Sequence, residues 1–316
     1  MMWFSIGFGV QLNTVCSEEK VPFAVAFDAL QLNSVARALN PLWRWTEKMS
    51  WGKEPTVQDH FRTVNEFATN IIKQRRQRNE QGEEYCDLLS RFMQARNENK
   101  EPLDDDELRD VILNFIIAGR DTTAQALSWT FYNLALHPRI EKKLLDEIHE
   151  TMPSDIEDIE AVDLYELIKN MVYAHAVFYE VLRLHPSVPS NSRSALQDDT
   201  LPDGTPVSKG DIVSWSIYAL GRNEKIWGDD AKQFRPERWI TSDGTLRRES
   251  QGQWPVFHAG PRVCLGQSLA TLEALIAIAF LLKRYKFSLM PGQDITYQLS
   301  LTMPMKHGMK MWVEQR

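Results

Sequence analysis

The sequence predicts a mainly helical α+β fold, with one long central helix and a minor sheet. Helical spacing of apolar residues dominates the chain up to Leu184. One candidate helix in this part runs from Leu103 to about His137, which is roughly 33 residues or about 50 Å at the ordinary helical rise. After Pro186 the chain becomes rich in Pro, Asp, Gly and Ser, with short strand candidates between them. We expect the 316 residues to form a single domain.

The first half of the chain carries clear helix signals. Residues 57–78 place apolar side chains three and four positions apart, which predicts a helix with one buried stripe. The stripe consists of Val57, Phe61, Val64, Ala68 and Ile71. Polar breaks are predicted at residues 50–56 and 97–102. The long helix then begins at the acidic residues 104–107, which suit a helix N-terminus, and Pro138 limits it.

The second half mixes helices and strands. Helices are predicted at residues 139–151, 169–184 and 265–284, and the second of these is apolar on almost every side, so we expect it to be buried. DIVSWSIYAL, residues 211–220, is a strand candidate. Another strand is predicted near the C-terminus, where apolar residues alternate with polar ones. The alternating residues are Ile295, Tyr297, Leu299, Leu301 and Met303.

Composition excludes several classes of protein. A net charge of -7 and the lack of a basic stripe between aromatic residues argue against nucleic acid as a partner. The cysteines Cys16, Cys86 and Cys264 are far apart and form no Cys/His cluster, which argues against structural zinc. An odd, scattered set of cysteines also argues against a disulfide framework and suits a reducing compartment.

The sequence predicts no transmembrane segment. Its first residues, MMWFSIGFGVQLNTV, lack the basic region and the cleavage signal of a secretory leader, and their apolar part is too short to cross a bilayer. The longest apolar run, LEALIAIAFLL at residues 272–282, is also short and predicts a buried helix.

The stretch FHAGPRVCLG, residues 257–266, places a cysteine in a tight loop. Gly260 and Gly266 allow a flat group to approach the backbone closely. Cys264 precedes a predicted helix, whose N-terminal N–H groups and dipole favour a thiolate. Arg262 offers donors for a carboxylate. Together these features indicate haem with a cysteine axial ligand, and the alternative is a buried structural cysteine beside a glycine-rich turn.

This stretch resembles the haem-binding signature of the cytochrome P450 superfamily, Phe-x-x-Gly-x-Arg-x-Cys-x-Gly, at every fixed position. The resemblance implies haem b as cofactor, with Cys264 as the proximal iron ligand. It also implies that Arg262 binds a haem propionate, that Gly260 belongs to the haem-binding loop and that Phe257 packs near the sulfur. His258 stands at a variable position of the signature, so we assign it no haem role.

Glu180 and Arg183 stand three residues apart on the predicted buried helix, so they share one face. Such spacing is common in solvent-exposed ion pairs of little consequence. A buried pair needs further partners, and Arg238 in FRPERW is the candidate. The three residues look like the ExxR and PER elements of the same family, which implies a structural network behind the haem.

Residues 118–123, AGRDTT, lie midway along the long helix and are poor helix formers. One explanation is a helix break with a Gly cap followed by a new Asp or Thr cap. The other is a local opening that forms an oxygen-binding groove, in which Asp121 and the Thr122 hydroxyl relay protons. The segment is similar to the distal oxygen-activation motif of the family, which favours the second explanation.

Arg193 in SNSRSAL follows the buried helix. It is either a solvated arginine on a loop or, as the resemblance implies, a second arginine that contacts a propionate. We expect His175 and His185 to be packing or surface residues and give them no haem role.

The resemblance implies a monooxygenase that inserts one atom of O2 into a C–H bond of a lipophilic substrate. It implies a separate flavoprotein reductase that uses NADPH and docks on the Cys264 side, since the chain has no Gly-rich dinucleotide fingerprint. Family members are typically bound to the endoplasmic reticulum membrane and face the cytoplasm. They are also longer, so we expect this chain to match the C-terminal two-thirds of the family domain, without the N-terminal anchor and first helices. The alternative is a non-catalytic fragment or an interaction protein descended from such an enzyme.

Residues 21–49, VPFAVAFDALQLNSVARALNPLWRWTEKM, resemble the matching segment of eukaryotic fatty-acid and alkane hydroxylases that attack the terminal carbon. This resemblance implies a fatty-acid substrate. The alternative is an apolar pair of helices that covers a pocket for another hydrophobic molecule.

Overall fold

The computed structural model describes residues 7–9, 21–49, 55–153, 159–298 and 300–316. The N-terminal apolar stretch apart from residues 7–9, Cys16, most of the polar break at 50–56 and Leu299 lie outside the described residues. The chain divides into two compact units, Met1–Asp121 with Leu299–Leu301 and Thr122–Gln298 with Thr302–Arg316. The predicted fold class is confirmed, because helices dominate and the strands form only small sheets.

The first unit is helical. Its helices are α1 (Pro22–Leu39), α2 (Trp43–Met49), α3 (Val57–Glu80), α4 (Leu88–Gln94) and the first half of α5 (Asp105–Leu136). Helix α3 begins at a capping box, in which the Thr56 side chain accepts from the Asp59 N–H and the Asp59 carboxylate accepts from the Thr56 N–H. The predicted α3 stripe is buried at Val64, Ala68 and Ile71, whereas Phe61, near the N-terminal end of the helix, is 46% exposed.

The long helix α5 (Asp105–Leu136) agrees with its predicted extent. Asp104 and Glu107 form its capping box, with the Glu107 N–H donating to the Asp104 carboxylate at 2.8 Å and the Asp104 N–H donating to the Glu107 carboxylate at 2.9 Å. Pro138 stands at the first position of the next helix, where its missing N–H breaks no hydrogen bond.

The second unit packs helices around the buried helix. It contains the rest of α5, then α6 (Pro138–Thr151), α7 (Ala161–Lys169), α8 (Val172–Leu184), α9 (Ile217–Leu220), α10 (Glu224–Trp227) and α11 (Gln267–Arg284). Ten of the 13 residues of α8 are buried, as its apolar sequence predicts. Within the described ranges, none of the helices combines the length and the apolarity that a bilayer-spanning helix needs.

Among the described residues of the second unit, the strands form three two-stranded antiparallel sheets. The strands are β1 (Ser190–Ser194), β2 (Asp199–Thr200), β3 (Pro206–Val207), β4 (Ile212–Ser216), β5 (Tyr285–Leu289) and β6 (Met311–Gln315). β1 pairs with β4 so that Arg193 stands opposite Val213, β2 pairs with β3, and β5 pairs with β6 so that Phe287 stands opposite Val313. The strand candidate at residues 211–220 is therefore half strand and half helix, since α9 follows β4 directly.

The predicted strand at residues 295–303 is wrong. Tyr297 and Met305 form only an isolated bridge, and the Met303 N–H donates to the Ser187 carbonyl at 3.0 Å instead of entering a ladder. The chain instead turns back on itself, because the Gln298 N–H donates to the Pro304 carbonyl and the Lys306 N–H donates to the Thr296 carbonyl, both at 2.9 Å.

Two predicted helix boundaries also shift. The helix placed at 169–184 begins at Val172, because the separate helix α7 ends at Lys169 and Asn170 caps it. The last helix begins at Gln267 rather than at residue 265.

Candidate functional site

The cysteine loop is held by two short 3-10 helices, Pro255–Phe257 and Gly260–Arg262. One backbone hydrogen bond closes it, with the Cys264 N–H donating to the Phe257 carbonyl at 2.8 Å. Phe257 packs on Trp254 at a ring-centroid distance of 5.8 Å and contacts the core of the second unit. This bond fixes the backbone of Cys264. The thiol itself forms no disulfide and is partly exposed.

The backbone of the loop is left-handed at two positions. Gly260 has a φ of 59°, and a Cβ atom there would meet nothing within 4 Å. Glycine is therefore required at this position for its conformation, and it leaves open space above the loop. His258 has a φ of 63° and a ψ of -165°, a region that is otherwise almost reserved for glycine.

Two arginines, Arg193 and Arg262, lie near His258 of the loop. Burial lowers the pKa of His258, and the positive charges of Arg193 and Arg262 lower it further. Both guanidiniums therefore lie within electrostatic reach of that ring. Both side chains are exposed, and neither pairs with a carboxylate among the residues that the structure describes. Arg193 donates to the Ser192 carbonyl and lies over the Trp215 ring.

These residues fit a haem. The thiol of Cys264 is a soft iron ligand, and two guanidiniums without acidic partners match the two propionates of the macrocycle. Apolar side chains beside the cysteine are uncovered, with Leu265 88% exposed and Val263 42% exposed. A flat apolar group with two carboxylates would satisfy both the charges and the exposed apolar surface.

The buried ion pair lies on α8. Glu180 and Arg183 are fully buried, and Arg183 binds Glu180 through two parallel hydrogen bonds of 2.8 Å. Arg238 adds a third donor at 2.9 Å from the Glu180 carboxylate. The structure thus brings together the three residues that the sequence grouped, inside the protein and away from solvent.

Sequence reasoning missed the other donors to Glu180. The Trp239 indole N–H donates to this carboxylate at 2.9 Å, and the Arg235 backbone N–H donates at 2.8 Å. Both residues belong to the same stretch as Arg238, FRPERW at residues 234–239. Five hydrogen bonds therefore satisfy one buried carboxylate, which offsets the large cost of removing it from water.

Arg183 also holds two loops through their backbone. Its guanidinium donates to the carbonyls of Gly221, Ala231 and Gln233. The backbone of Arg183 also lies close to Gly221. A Cβ atom on this glycine would lie 2.0 Å from the Arg183 carbonyl oxygen. Gly221 is thus a second residue that the motifs did not reveal.

The long helix runs without a break through residues 118–123, so the predicted helix break is wrong, and the oxygen-binding groove stays a prediction. Helix propagation is cooperative, and one glycine costs only about 1 kcal/mol against the long apolar flanks on both sides. Thr122 lies inside the helix, and its carbonyl accepts a hydrogen bond of 2.7 Å from the Ser187 hydroxyl.

Asp121 is held within the first unit. The Gln31 side-chain amide donates to its carboxylate, and the Arg120 guanidinium, which also pairs with Asp28, lies 3.6 Å away. Burial raises the pKa of Asp121 above its ordinary value, and the hydrogen bond from Gln31 opposes this effect. A carboxyl group with a raised pKa can hold and release a proton closer to neutral pH.

His185 is a packing residue, which is one of the two roles expected from the sequence. Its ring stacks on Trp129 at 4.4 Å and its Nδ1 lies 2.8 Å from the Tyr297 hydroxyl. Burial lowers the pKa of His185 to about 3, and the charges of Arg222 and Arg183 act in the same direction.

The unfolded chain therefore binds a proton at this histidine near pH 6.5, before the folded chain does. We expect the free energy of unfolding to fall by about 2 kcal/mol from this group as the pH drops from 7 to 5. Urea denaturation at several pH values measures the slope. His185→Gln should flatten it, although the loss of the stack lowers stability at every pH. Equal slopes in the two proteins would contradict this assignment.

The chain is similar to known proteins over nearly its whole length. The family model described as "Cytochrome P450" matches residues 2–309. The chain is 33% identical to cytochrome P450 704B1 of Arabidopsis thaliana over 98% of its length and 66% of that protein. It is 38% identical to cytochrome P450 86B1 of the same plant, over 96% of its length and 56% of the relative. A cytochrome P450 monooxygenase of Mycosarcoma maydis is 38% identical over 90% of this chain and 47% of that protein.

The chain spans between about half and two thirds of the length of these relatives. The matched region includes the cysteine loop, the buried ion-pair network and the long helix.

Proposed function

Because the chain belongs to the cytochrome P450 family, whose members use haem with a cysteine thiolate ligand, we propose that it is a haem-thiolate monooxygenase. The observation that carries the proposal is the cysteine loop. Cys264 is a free, partly exposed thiol whose backbone is fixed by the Phe257 carbonyl, and the two arginines near His258 pair with no carboxylate among the described residues. When bound, the haem supplies activation of O2 at its iron, to which the thiolate donates electron density.

In this proposal, the chain holds the haem by residues from two segments. Cys264 ligates the iron, Arg262 and Arg193 bind the propionates, and Gly260 lets the macrocycle lie close to the backbone. The network of Glu180, Arg183 and Arg238 has no chemical role. It ties α8 to the stretch of chain that leads into the cysteine loop, so that the loop keeps its shape.

In this proposal, residues in the middle of the long helix α5 deliver protons. Asp121 carries a proton at higher pH than an exposed aspartate, because burial raises its pKa. The Thr122 hydroxyl stands next to it in the chain and can both accept and donate a proton. We propose that the two groups pass protons to the site where O2 is reduced.

The electrons would come from a separate reductase that uses NADPH, and the substrate would be lipophilic. For the substrate we propose a fatty acid hydroxylated at its terminal carbon. Support comes from residues 21–49, which resemble the matching segment of such hydroxylases and fold into the two helices α1 and α2. The name of the Mycosarcoma maydis relative supports monooxygenase chemistry but does not include a substrate.

Turnover with a purified reductase and NADPH tests this proposal. A panel should contain fatty acids of several chain lengths, their methyl esters and neutral terpenoids, with products identified by mass spectrometry. We expect terminally hydroxylated fatty acids from the wild-type chain and none above background from Cys264→Ala. Unchanged product formation by Cys264→Ala would reject the haem-thiolate mechanism. Products from the terpenoids alone would reject the fatty-acid substrate and leave the mechanism standing.

A further inference from the structure

Three indole rings form a line from the cysteine loop to a cavity at the protein surface. Trp254 lies 5.8 Å from the Phe257 ring, Trp239 lies 5.0 Å from Trp254, and Trp227 lies 5.5 Å from Trp239, all as ring-centroid distances. These separations are those of aromatic rings in direct contact. Phe257 in turn accepts the N–H of Cys264 through its backbone carbonyl.

The outer end of this line reaches solvent. Trp227 lines a polar cavity of about 140 Å³, together with the half-exposed side chains of Arg235 and Arg247. Small polar molecules can therefore reach Trp227. Trp239, in the middle of the line, is only 1% exposed, so nothing in solution can reach it directly.

The hydrogen bonds of the three indoles differ in a way that sets a direction. The Trp254 N–H is buried and has no hydrogen-bond partner among the described residues, so an oxidised Trp254 cannot pass on its proton. The Trp239 N–H donates to the Glu180 carboxylate at 2.9 Å, which stabilises positive charge on that ring. The Trp227 N–H donates to the Leu220 carbonyl at 3.0 Å, and the Trp227 side chain lines the cavity. An oxidised ring is thus better stabilised at Trp239 than at Trp254, and Trp227 is the ring of the three that a reductant in the cavity can reach.

We propose that Trp254, Trp239 and Trp227 carry electrons from the surface cavity to the haem loop when the bound haem holds oxidising equivalents that no substrate consumes. The proposal rests on the haem-binding function proposed above. Indoles in contact exchange electrons readily, and no other residue is needed between them. The line would protect the loop, including the Cys264 thiol, from oxidation (thiols are easily oxidised).

The electrons and atoms balance with hydrogen peroxide as oxidant. Its reduction to two waters takes up two electrons and two protons. A small thiol or ene-diol reductant in the cavity supplies both electrons through Trp227, Trp239 and Trp254 in turn, and it releases two protons to solvent. Without a reductant, Trp227 itself gives up two electrons and two protons and gains one oxygen from water. The net reaction is then peroxide plus indole giving hydroxyindole plus one water.

Mass spectrometry of the haem-loaded chain tests this proposal. The chain is treated with hydrogen peroxide, without substrate or reductant, and digested with trypsin. Cleavage after Lys225, Lys232, Arg238, Arg247 and Arg262 puts the three indoles on separate peptides. We expect hydroxylation of Trp227 to exceed several-fold that of Trp45 and Trp312, which are more exposed at 72% and 57% and lie outside the line.

Two variants test the continuity of the line. Trp239→Phe should lower hydroxylation of Trp227 several-fold and speed the bleaching of the haem. Because this variant also removes a donor to Glu180, Trp227→Phe serves as a second test, and it should move hydroxylation inward to Trp239 and Trp254. Trp312→Phe is the matched control and should leave Trp227 hydroxylation unchanged.

Equal hydroxylation of Trp227 with and without haem, or no effect of Trp239→Phe on Trp227, would overturn the proposal. The absorption spectrum of the same sample then shows which claim fails. If a thiolate-ligated haem is present, only the proposed electron transfer through the tryptophans is rejected. If no haem is bound, the proposed haem-thiolate function is rejected as well.

Discussion

Replacing Glu180 with alanine is expected to lower the free energy of unfolding by about 3–5 kcal/mol, because it leaves the buried Arg183 guanidinium without its carboxylate and removes the closer of the two carboxylates that Arg238 pairs with. Arg183 is fully buried and Arg238 nearly so, and Trp239 also loses its acceptor. A loss of this size is a large part of the total stability of an ordinary domain. We therefore expect little folded Glu180→Ala protein at 37 °C.

The chain offers a matched control for this variant. Glu166 pairs with Lys169 at the same spacing of three residues, but both side chains are more than half exposed. Glu166→Ala should change the free energy of unfolding by no more than about 0.5 kcal/mol. Urea denaturation followed by circular dichroism compares the two variants. Similar losses in both would show that burial of the α8 network contributes nothing.

Replacing Gly221 with alanine is expected to be the second most damaging change. The new Cβ would lie 2.0 Å from the Arg183 carbonyl oxygen, a distance that two such atoms cannot adopt. The backbone at Gly221 must move, and its carbonyl then loses the Arg183 guanidinium. We expect a loss of about 2–4 kcal/mol, since overpacking and a broken buried network act together.

Gly252→Ala is the control for this substitution. The nearest atom to a Cβ there is the Ser250 hydroxyl oxygen at 3.9 Å, and Gly252 does not have a left-handed backbone. Alanine should therefore leave stability unchanged or raise it by up to about 1 kcal/mol through the unfolded chain. Thermal denaturation of the two variants gives the comparison. A Gly221→Ala protein as stable as Gly252→Ala would show that the contact with Arg183 is not tight.

Features of the fold that depend on local sequence could be predicted. The capped start of the long helix, the proline at its end and the apolar character of α8 are visible in short stretches of chain. The partnership of Glu180, Arg183 and Arg238 was also predictable, because a buried carboxylate needs more than one cation. The Trp239 indole and the Arg235 N–H were not assigned, since side-chain hydrogen bonds follow from the packing rather than from the pattern.

Other features depend on contacts that the sequence does not display. Gly221 must be glycine because it lies against the carbonyl of Arg183, which is 38 positions earlier in the chain. The alternation near Tyr297 predicted a strand, but Met303 bonds to Ser187 instead, which is a choice of tertiary partner. Residues 118–123 contain poor helix formers, yet their flanks keep the helix continuous.

The central claim is that Cys264 binds haem iron as a thiolate. The most direct measurement is the absorption spectrum of the chain with haem, reduced, before and after addition of carbon monoxide. We predict a strongly red-shifted Soret band with carbon monoxide, which Cys264→Ala lacks. A chain that binds no haem, or a Soret band that is unchanged by Cys264→Ala, would contradict the claim.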